Sequence, residues 1–261
     1  MSNLANQWVL ITGASSGFGA AAAQAFGAQG CNLLLGARRV PQLEKAANLA
    51  RQAGAPSAHF RALDVAQTSS VEAFVDWVRT LTPRVDVLIN NAGGAHGLDT
   101  VAEGRDEDWE AMVQSNLLGL VRVTRAALPL MVNHPGGTII NVGSTAGHTA
   151  YEGGSVYCAC KAGELQVSRS LRLELCGTGL RVVSLDPGLA ETEFSLVRFK
   201  NDAARAHRVY EGMTPLSAED IAETMVWVAS RPAHVCIDEL LIKPTDQAAM
   251  HKVFRRNQAP A

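Results

Sequence analysis

The chain has 261 residues, of which 47% are hydrophobic and 18% are charged, and its formal net charge is −2. This balance is typical of a globular protein and provides no general attraction for nucleic acid or for an anionic membrane. No apolar run reaches the roughly 18 residues of a membrane span, and residues 1–7 lack the features of a secretion signal, so we expect a cytoplasmic protein.

Strand and helix signals alternate along the first third of the chain. A short apolar run stops at a glycine-rich turn, an alanine-rich helical stretch follows, and the unit then recurs. The predicted strands are 8–11, 32–35, 58–63 and 85–89, and the predicted helices are 20–26, 41–53 and 69–80. Alternation with short links predicts a parallel α/β sheet that is covered by helices on both faces.

The alternation continues through the second half of the chain. The predicted helices are 109–131, 155–176 and 218–230, and the predicted strands are 138–142, 181–185 and 239–242. Residues 189–214 show little periodicity and are predicted to be irregular. We interpret the short basic end at Lys252, Arg255 and Arg256 as a solvated tail. The length and the lack of a linker predict one domain, 1–261, with a doubly wound sheet of about seven strands.

The turn after the first strand reads Thr12-Gly13-Ala14-Ser15-Ser16-Gly17-Phe18-Gly19. It follows a strand and opens a helix, which is the context in which a glycine pattern indicates dinucleotide binding on a Rossmann-type fold. Glycines permit the sharp turn and let backbone amides approach a pyrophosphate at the positive end of the helix. The alternative is a tight strand-to-helix turn that binds nothing.

The end of the second strand distinguishes between two nicotinamide cofactors. NAD-binding folds place a carboxylate there, whereas this chain reads Gly36-Ala37-Arg38-Arg39. A guanidinium suits a 2′-phosphate, so we predict NADP(H), the alternative being two arginines that only cap the strand in water. Asp64-Val65, after the third strand, could reach the adenine ring, although an aspartate at a strand end is often a turn former.

The candidate catalytic residues are Tyr157, Lys161 and Ser144. The ordinary pKa of a phenol, about 10, is too high for acid–base work at neutral pH, but a neighbouring cation stabilises the phenolate and lowers that pKa. Lys161 can supply this cation, because residues i and i+4 share a helix face. Ser144 could hold a carbonyl oxygen where Tyr157 protonates it, which predicts carbonyl reduction or its reverse. The alternative is an ordinary exposed pair on a helix.

These motifs together resemble the short-chain dehydrogenases/reductases over essentially the whole chain. The matching motifs are Thr12-Gly13 with Gly17 and Gly19, Asn90-Asn91-Ala92-Gly93, Asn116, Gly143-Ser144, Tyr157 with Lys161, and Pro187-Gly188 with Thr192. Within that family, residues 141–147, 192–200 and 232–235 are similar to the branch of NADP-dependent 3-hydroxy acid (serine/allo-threonine) dehydrogenases and malonic semialdehyde reductases.

The resemblance implies roles for individual residues. Tyr157 would be the catalytic acid/base, Lys161 its electrostatic partner and a clamp on the nicotinamide ribose, Ser144 the carbonyl orienter and Asn116 a member of the proton relay. Further cofactor contacts would come from Asn91, Ala92, Gly93, Pro187, Gly188 and Thr192. Because subunits of this family associate through the helices around 116–131 and 155–176, a homodimer or homotetramer is implied.

The stretch after Pro187-Gly188 carries the predicted substrate contact. A long loop on the carboxyl side of a parallel sheet is where ligands usually enter, so we predict that Arg198 pairs with a substrate carboxylate or sulfonate. The alternative is a solvated arginine. Tyr151 is predicted to contact the substrate as well. His96, His148 and Glu152 flank the same cleft and can shape the pocket.

The five cysteines form no regular framework and are predicted to be reduced thiols. Cys158 and Cys160 point in different directions on a helix, so no metal site is predicted. We therefore predict an NADP(H)-dependent oxidoreductase that interconverts a small hydroxy acid and its oxo or semialdehyde form, of the 3-hydroxy acid, malonic semialdehyde or sulfoacetaldehyde type. The alternatives are a reductase of neutral ketones, diketones or 3-oxoacyl thioesters and a non-catalytic NADP-binding protein.

Overall fold

A computed structural model of the chain describes residues 3–132 and 134–256. The strands are β1 (Trp8–Thr12), β2 (Asn32–Ala37), β3 (Ala58–Ala62), β4 (Val87–Asn90), β5 (Thr138–Val142), β6 (Arg181–Pro187), β7 (Glu239–Ile242), β8 (Gln247–Ala249) and β9 (Lys252–Val253). The α-helices are α1 (Gly17–Ala28), α2 (Val40–Ala53), α3 (Thr68–Leu81), α4 (Asp106–Met112), α5 (Gly119–Ala127), α6 (Ser155–Glu174), α7 (Phe194–Arg198), α8 (Ala203–Arg208) and α9 (Ala218–Ala229). None of these helices is long and apolar enough to cross a membrane.

Seven strands form one parallel sheet in the order β3-β2-β1-β4-β5-β6-β7. The strand β1 pairs with β2 on one side and with β4 on the other, so the direction in which strands are added reverses beside β1. In such sheets ligands bind at the carboxyl ends of the strands next to this reversal. The predicted doubly wound, Rossmann-type α/β fold is confirmed, and its crevice lies where the glycine turn leaves β1.

The sheet separates two apolar cores, because successive side chains of a strand point to opposite faces. Val9 and Ile11 of β1 pack into the core beneath α1, α2 and α9, whereas Leu10 packs into the core beneath α3, α5 and α6. The central strands β4, β5 and β6 are buried along their whole lengths. The near-continuous apolar runs in the sequence arise from this burial on two sides.

The stretch predicted as one helix, 109–131, is a composite. It contains α4, a π-helical segment (Val113–Leu118), α5 and a 3-10 turn (Leu128–Leu130). The amide of Gly119 donates to the carbonyl of Gln114, which is the longer hydrogen bond that defines a π-helix. The stretch is helical as predicted, but it is not one regular helix, since apolar periodicity does not reveal one inserted residue.

Residues 189–214 are not wholly irregular, because they contain α7 and α8. Helices of five and six residues are too short to show a periodic pattern, which explains why they were missed. Asp202 begins α8 by accepting a hydrogen bond from the amide of Arg205 at 2.9 Å. The short antiparallel pair β8 and β9 was also not predicted.

The basic end of the chain folds back onto the segment before α9. Arg255 donates to the carbonyl oxygens of Glu211 and Val209, the latter at 2.9 Å. Arg256 bonds Thr214 Oγ1 at 2.9 Å and Asp246 Oδ2 at 3.0 Å. The prediction of a solvated tail was wrong for these two arginines, because their partners are distant in sequence.

Candidate active site

The glycine turn is shaped by close approaches that exclude side chains. Gly13 and Gly17 have φ values of +66° and +51°, in the left-handed region that favours glycine. A Cβ on Gly19 would lie 2.5 Å from the carbonyl oxygen of Gly13. The side chain of Ser16 makes no capping bond to α1, which starts directly after it. Gly17 and Gly19 leave the N-terminus of α1 without side chains at these two positions, and such a helix N-terminus is a suitable site for a pyrophosphate.

Asn91 holds the glycine turn in place from the end of β4. Its Nδ2 donates to the carbonyl oxygens of Thr12 and Gly13 at 2.9 and 3.2 Å. The hydroxyl of Thr12 accepts from the amides of Asn91 and Ala92, both at 3.0 Å. The residues of the second motif therefore position the first.

Arg39 is the cation at the carboxyl end of β2. Its Nη2 lies 2.6 Å from Ser16 Oγ and 2.7 Å from Glu193 Oε2, and the hydrogen bond from Arg39 lowers the pKa of Glu193. Arg38 is exposed beside it. Asp64 Oδ1 accepts a hydrogen bond from the amide of Ala66 at 3.1 Å, so its carboxylate stabilises the turn in which it lies. Of the predicted adenosine-end residues, Arg39 is the one whose guanidinium contacts the glycine turn.

The segment after β6 lies over the glycine turn. A Cβ on Gly17 would lie 3.4 Å from Thr192 Cβ, which places the late motif directly against the first one. The amide of Gly188 donates to Ile242 O at 2.7 Å, and the amide of Leu189 donates to Gln247 Oε1 at 2.8 Å. The buried Gln247 of β8 thus supports the segment that follows Pro187.

Ser144 and Tyr157 meet at the carboxyl end of β5. Ser144 Oγ accepts from the amide of Ala146 at 3.1 Å, and the Ser144 side chain lies close enough to Tyr157 to oppose a rise in the pKa of the phenol. Tyr157 lies in the first turn of α6 and is 7% exposed. The two hydroxyl groups predicted to hold one carbonyl oxygen therefore lie together.

Lys161 lies one turn further along α6 and is also 7% exposed. Its Nζ is 5.8 Å from the ring centroid of Tyr157 and donates to Val142 O at 3.0 Å. The same ammonium contacts both oxygens of Glu164, at 2.9 and 3.0 Å. Sequence reasoning missed Glu164, although its position three residues after Lys161 was a signal for a pair on one helix face.

Burial raises the pKa of Tyr157 above its ordinary value. The charge of Lys161, the nearby hydroxyl of Ser144 and the charge of Arg198 oppose this rise, whereas the charge of Glu164 adds to it. The predicted lowering by Lys161 is present, but the net direction for the protein alone is the opposite of the prediction. The free energy lost by removing a phenolate from water exceeds the stabilisation that the neighbouring cation provides.

Asn116 lies in the π-helical segment and is 1% exposed. Its Nδ2 donates to the carbonyl oxygens of Gly94 and Met112 at 2.9 and 2.8 Å, and its Oδ1 accepts from the amide of Gly94 at 3.0 Å. A Cβ on Gly93 would lie 2.5 Å from Asn116 Oδ1. The side chain thus fixes the loop after β4, and its part in a proton relay stays a prediction.

Arg198, the last residue of α7, lies beside Tyr157. Its Cζ is 5.6 Å from the Tyr157 ring centroid, its Nε donates to Gly97 O at 3.1 Å and its Nη2 donates to Tyr151 Oη at 2.6 Å. Phe194, from the same helix, packs 5.6 Å from the Tyr157 ring. The structure therefore brings both predicted substrate residues to the phenol.

The other candidates around the cleft differ in position. His96 lines the pocket beside Tyr157 and Arg198, and burial lowers the pKa of His96. His148 instead contacts Asp186, with Nε2 2.8 Å from Oδ2, and Glu152 is exposed. Of the histidines predicted to shape the pocket, His96 lines it.

Comparisons with known proteins all find dehydrogenases or reductases. The model of the family described as short chain dehydrogenase matches residues 7–202. The chain is 46% identical to the sulfoacetaldehyde reductase of Chromohalobacter salexigens, covering 92% of this chain and 94% of that protein. It is 39% identical to the NADP-dependent 3-hydroxy acid dehydrogenase of Schizosaccharomyces pombe, covering 98% and 99%. A solved serine dehydrogenase, in its closed form with NADP+, superposes with a TM-score of 0.88 at 40% identity, covering 96% and 100%.

Proposed function

Because the chain belongs to the short-chain dehydrogenase family, we propose that it is an NADP(H)-dependent oxidoreductase that interconverts a small hydroxy acid and its oxo or semialdehyde form. The observation that carries the substrate class is the guanidinium of Arg198, 5.6 Å from the Tyr157 ring. A fixed cation beside the proton donor suits a carbonyl compound that bears an anion. Two of the relatives are named for sulfoacetaldehyde and for 3-hydroxy acids, which are compounds that carry an anion, and this supports the same substrate class.

The residues divide the work of cofactor binding and catalysis. The glycine turn would hold the pyrophosphate and Arg39 the 2′-phosphate, and the bound cofactor supplies the hydride. Ser144 and Tyr157 bond the carbonyl oxygen, and Tyr157 donates its proton as negative charge develops there. Lys161 stabilises the phenolate that remains. Since burial raises the pKa of Tyr157, the proton stays on the phenol until the reaction uses it.

A comparison of substrates tests this proposal. Malonic semialdehyde and sulfoacetaldehyde both place an anion one methylene away from the aldehyde carbon, whereas propanal has the same length and no charge. We expect NADPH oxidation to be much faster with the two acids than with propanal. Reduction of NADP+ with L-serine and with 3-hydroxyisobutyrate tests the reverse direction. A profile dominated by propanal, diketones or 3-oxoacyl thioesters would favour the neutral-carbonyl alternative instead.

An Arg39→Ala variant should lose affinity for NADPH while keeping that for NADH. Hydrogen bonds to charged groups contribute about 1.5–3 kcal/mol, which corresponds to a rise of roughly 10- to 100-fold in the KM for NADPH. The KM for NADH should stay within about twofold, since NADH has no 2′-phosphate. Arg38→Ala should have the smaller effect, and Arg79→Ala, which removes an exposed arginine of α3, serves as the control. Equal losses with both cofactors would refute the assignment.

We also propose a homo-oligomer, a tetramer or a dimer, that forms through α5 and α6. Outward-facing apolar side chains on these helices support it: Val121 is 40% exposed and Leu173 is 80% exposed. Burying such side chains against a second copy would remove apolar surface from water. A Val121→Glu, Leu173→Glu double variant should sediment as a smaller species than the wild type, with an unchanged circular dichroism spectrum. An unchanged mass would exclude this face as the interface.

Two broader features complete the proposal. We propose one catalytic domain over residues 1–261, which is supported by the single sheet that carries both the glycine turn and the strand before Ser144. We propose a cytoplasmic location, which is supported by five cysteines that are all free thiols.

A further inference from the structure

A buried carboxylate lies under the proposed catalytic pair, and the mechanism above does not use it. Glu164 is 2% exposed and contacts the ammonium of Lys161 through both of its oxygens. Burial raises the pKa of Glu164 to about 7, against the opposing effect of Lys161. A carboxylate without water is costly to keep, so its contact with Lys161 has to compensate for the lost hydration.

The contacts of Lys161 restrict where its charge can act. An ammonium has three N–H donors, and Val142 O and Glu164 Oε2 accept two of them, both at 3.0 Å. The ring of Tyr157 lies near the same ammonium, with its centroid 5.8 Å from Nζ. Glu164 therefore fixes the position of the cation.

The carboxylate of Glu164 changes the net charge of the buried group when the phenol loses its proton. With Glu164 ionised, the group of Tyr157, Lys161 and Glu164 is neutral while the phenol keeps its proton and carries one net negative charge once the proton leaves. With a neutral side chain at 164, proton loss instead converts one net positive charge into neutrality. Burial disfavours net charge, so the carboxylate makes proton loss harder, whichever group of the coupled pair releases it.

We propose that Glu164 is a positioning residue that holds Lys161 beneath Tyr157 and keeps the phenol protonated, so that it sets the pH range in which each direction of the reaction runs. The inference rests on the proposed function of Tyr157 as proton donor. At pH values above about 7, where Glu164 is ionised, the carboxylate favours reduction, because reduction consumes the proton that the phenol holds.

Other titratable groups also face this set and have to be held constant. Asp186 of β6 adds negative charge beside Glu164 and is itself paired with His148. The remaining neighbours are Cys160 on α6, Arg198 on α7, and Tyr151. Variants at position 164 leave all of these groups in place.

The test compares pH profiles of kcat/KM for oxidation of a hydroxy acid by NADP+. Oxidation needs the deprotonated phenol, so activity rises with pH, and Glu164→Gln should move this rise to lower pH by about one unit. Glu164→Asp, which keeps the charge, should retain the wild-type midpoint while lowering kcat. The control is Glu174→Gln, which changes an exposed carboxylate on the same helix. An E164Q profile that keeps the wild-type midpoint, or moves to higher pH, would overturn the proposal.

A second readout needs neither turnover nor a variant at 164. In the cofactor-free protein, the ultraviolet difference titration of wild type against Tyr157→Phe should show phenolate from Tyr157 only above the ordinary tyrosine pKa of about 10. Phenolate at lower pH would mean that Lys161 acts unopposed, and the proposal would fail. If the wild type is active but the E164Q profile is not shifted, only this inference fails. If the wild type reduces no carbonyl compound, the proposed function fails.

Discussion

A Tyr157→Phe variant is expected to lose nearly all turnover while its affinity for NADPH stays close to that of the wild type. A positioned general acid contributes about 10²- to 10⁴-fold to the rate, and phenylalanine keeps the ring but has no proton to give. The ring would retain its packing against Phe194, with centroids now 5.6 Å apart. The loss should therefore appear in kcat for both directions, measured by NADPH absorbance, with cofactor affinity measured by fluorescence titration.

The matched control for this substitution is Tyr210→Phe. Tyr210 is buried as well, but its hydroxyl bonds Ser195 Oγ at 2.7 Å and Ala190 O at 2.8 Å and does not contact Lys161. This variant should lose some thermal stability and keep most of its turnover. Wild-type rates in the Tyr157→Phe protein would rule out Tyr157 as the proton donor.

An Arg198→Ala variant is expected to raise the KM for an anionic substrate by about 10- to 100-fold, because a charge-assisted bond contributes roughly 1.5–3 kcal/mol. The KM for propanal should change little, because a neutral aldehyde has no anion to pair. The measurement is NADPH oxidation with sulfoacetaldehyde and propanal side by side. Their ratio isolates the anion contact from any general disturbance of the cleft.

Two further variants separate charge from shape at this position. Arg198→Lys keeps the cation but cannot reproduce the planar fork that now bonds both Gly97 O and Tyr151 Oη, so we expect an intermediate KM. Arg208→Ala removes an exposed arginine from α8 and should leave both substrates unaffected. If Arg198→Ala weakens acid and aldehyde equally, the substrate class proposed for this cleft is wrong.

Most of the sheet could be predicted from the sequence because its strands are buried on both faces. Such strands read as short apolar runs, and β1, β2 and β5 were each placed to within two residues at either end. The glycine turn was equally readable, since Gly13 and Gly17 stand where the backbone has a positive φ. Elements of this kind follow from local chemistry alone.

The candidate site was only partly predictable. Arg198 could be named from its loop, and the structure brings it to Tyr157. Glu164 was missed, because its position three residues after a lysine indicates a pair on one helix face, and such a pair is usually solvated. Its burial depends on β5 and β6 passing under α6. Arg255 and Arg256 were misread for the same reason, since their acceptors are far away along the chain.

The short helix α7 lies between the residues proposed to select the coenzyme and those proposed to select the substrate. Glu193, immediately before it, contacts Arg39 at the proposed nucleotide end, and Arg198, its last residue, contacts Tyr151 at the proposed substrate end. A shift of these five residues along their axis would disturb both contacts together. If this segment is exchanged for that of a relative, we therefore expect the coenzyme preference and the preference for acidic substrates to change together.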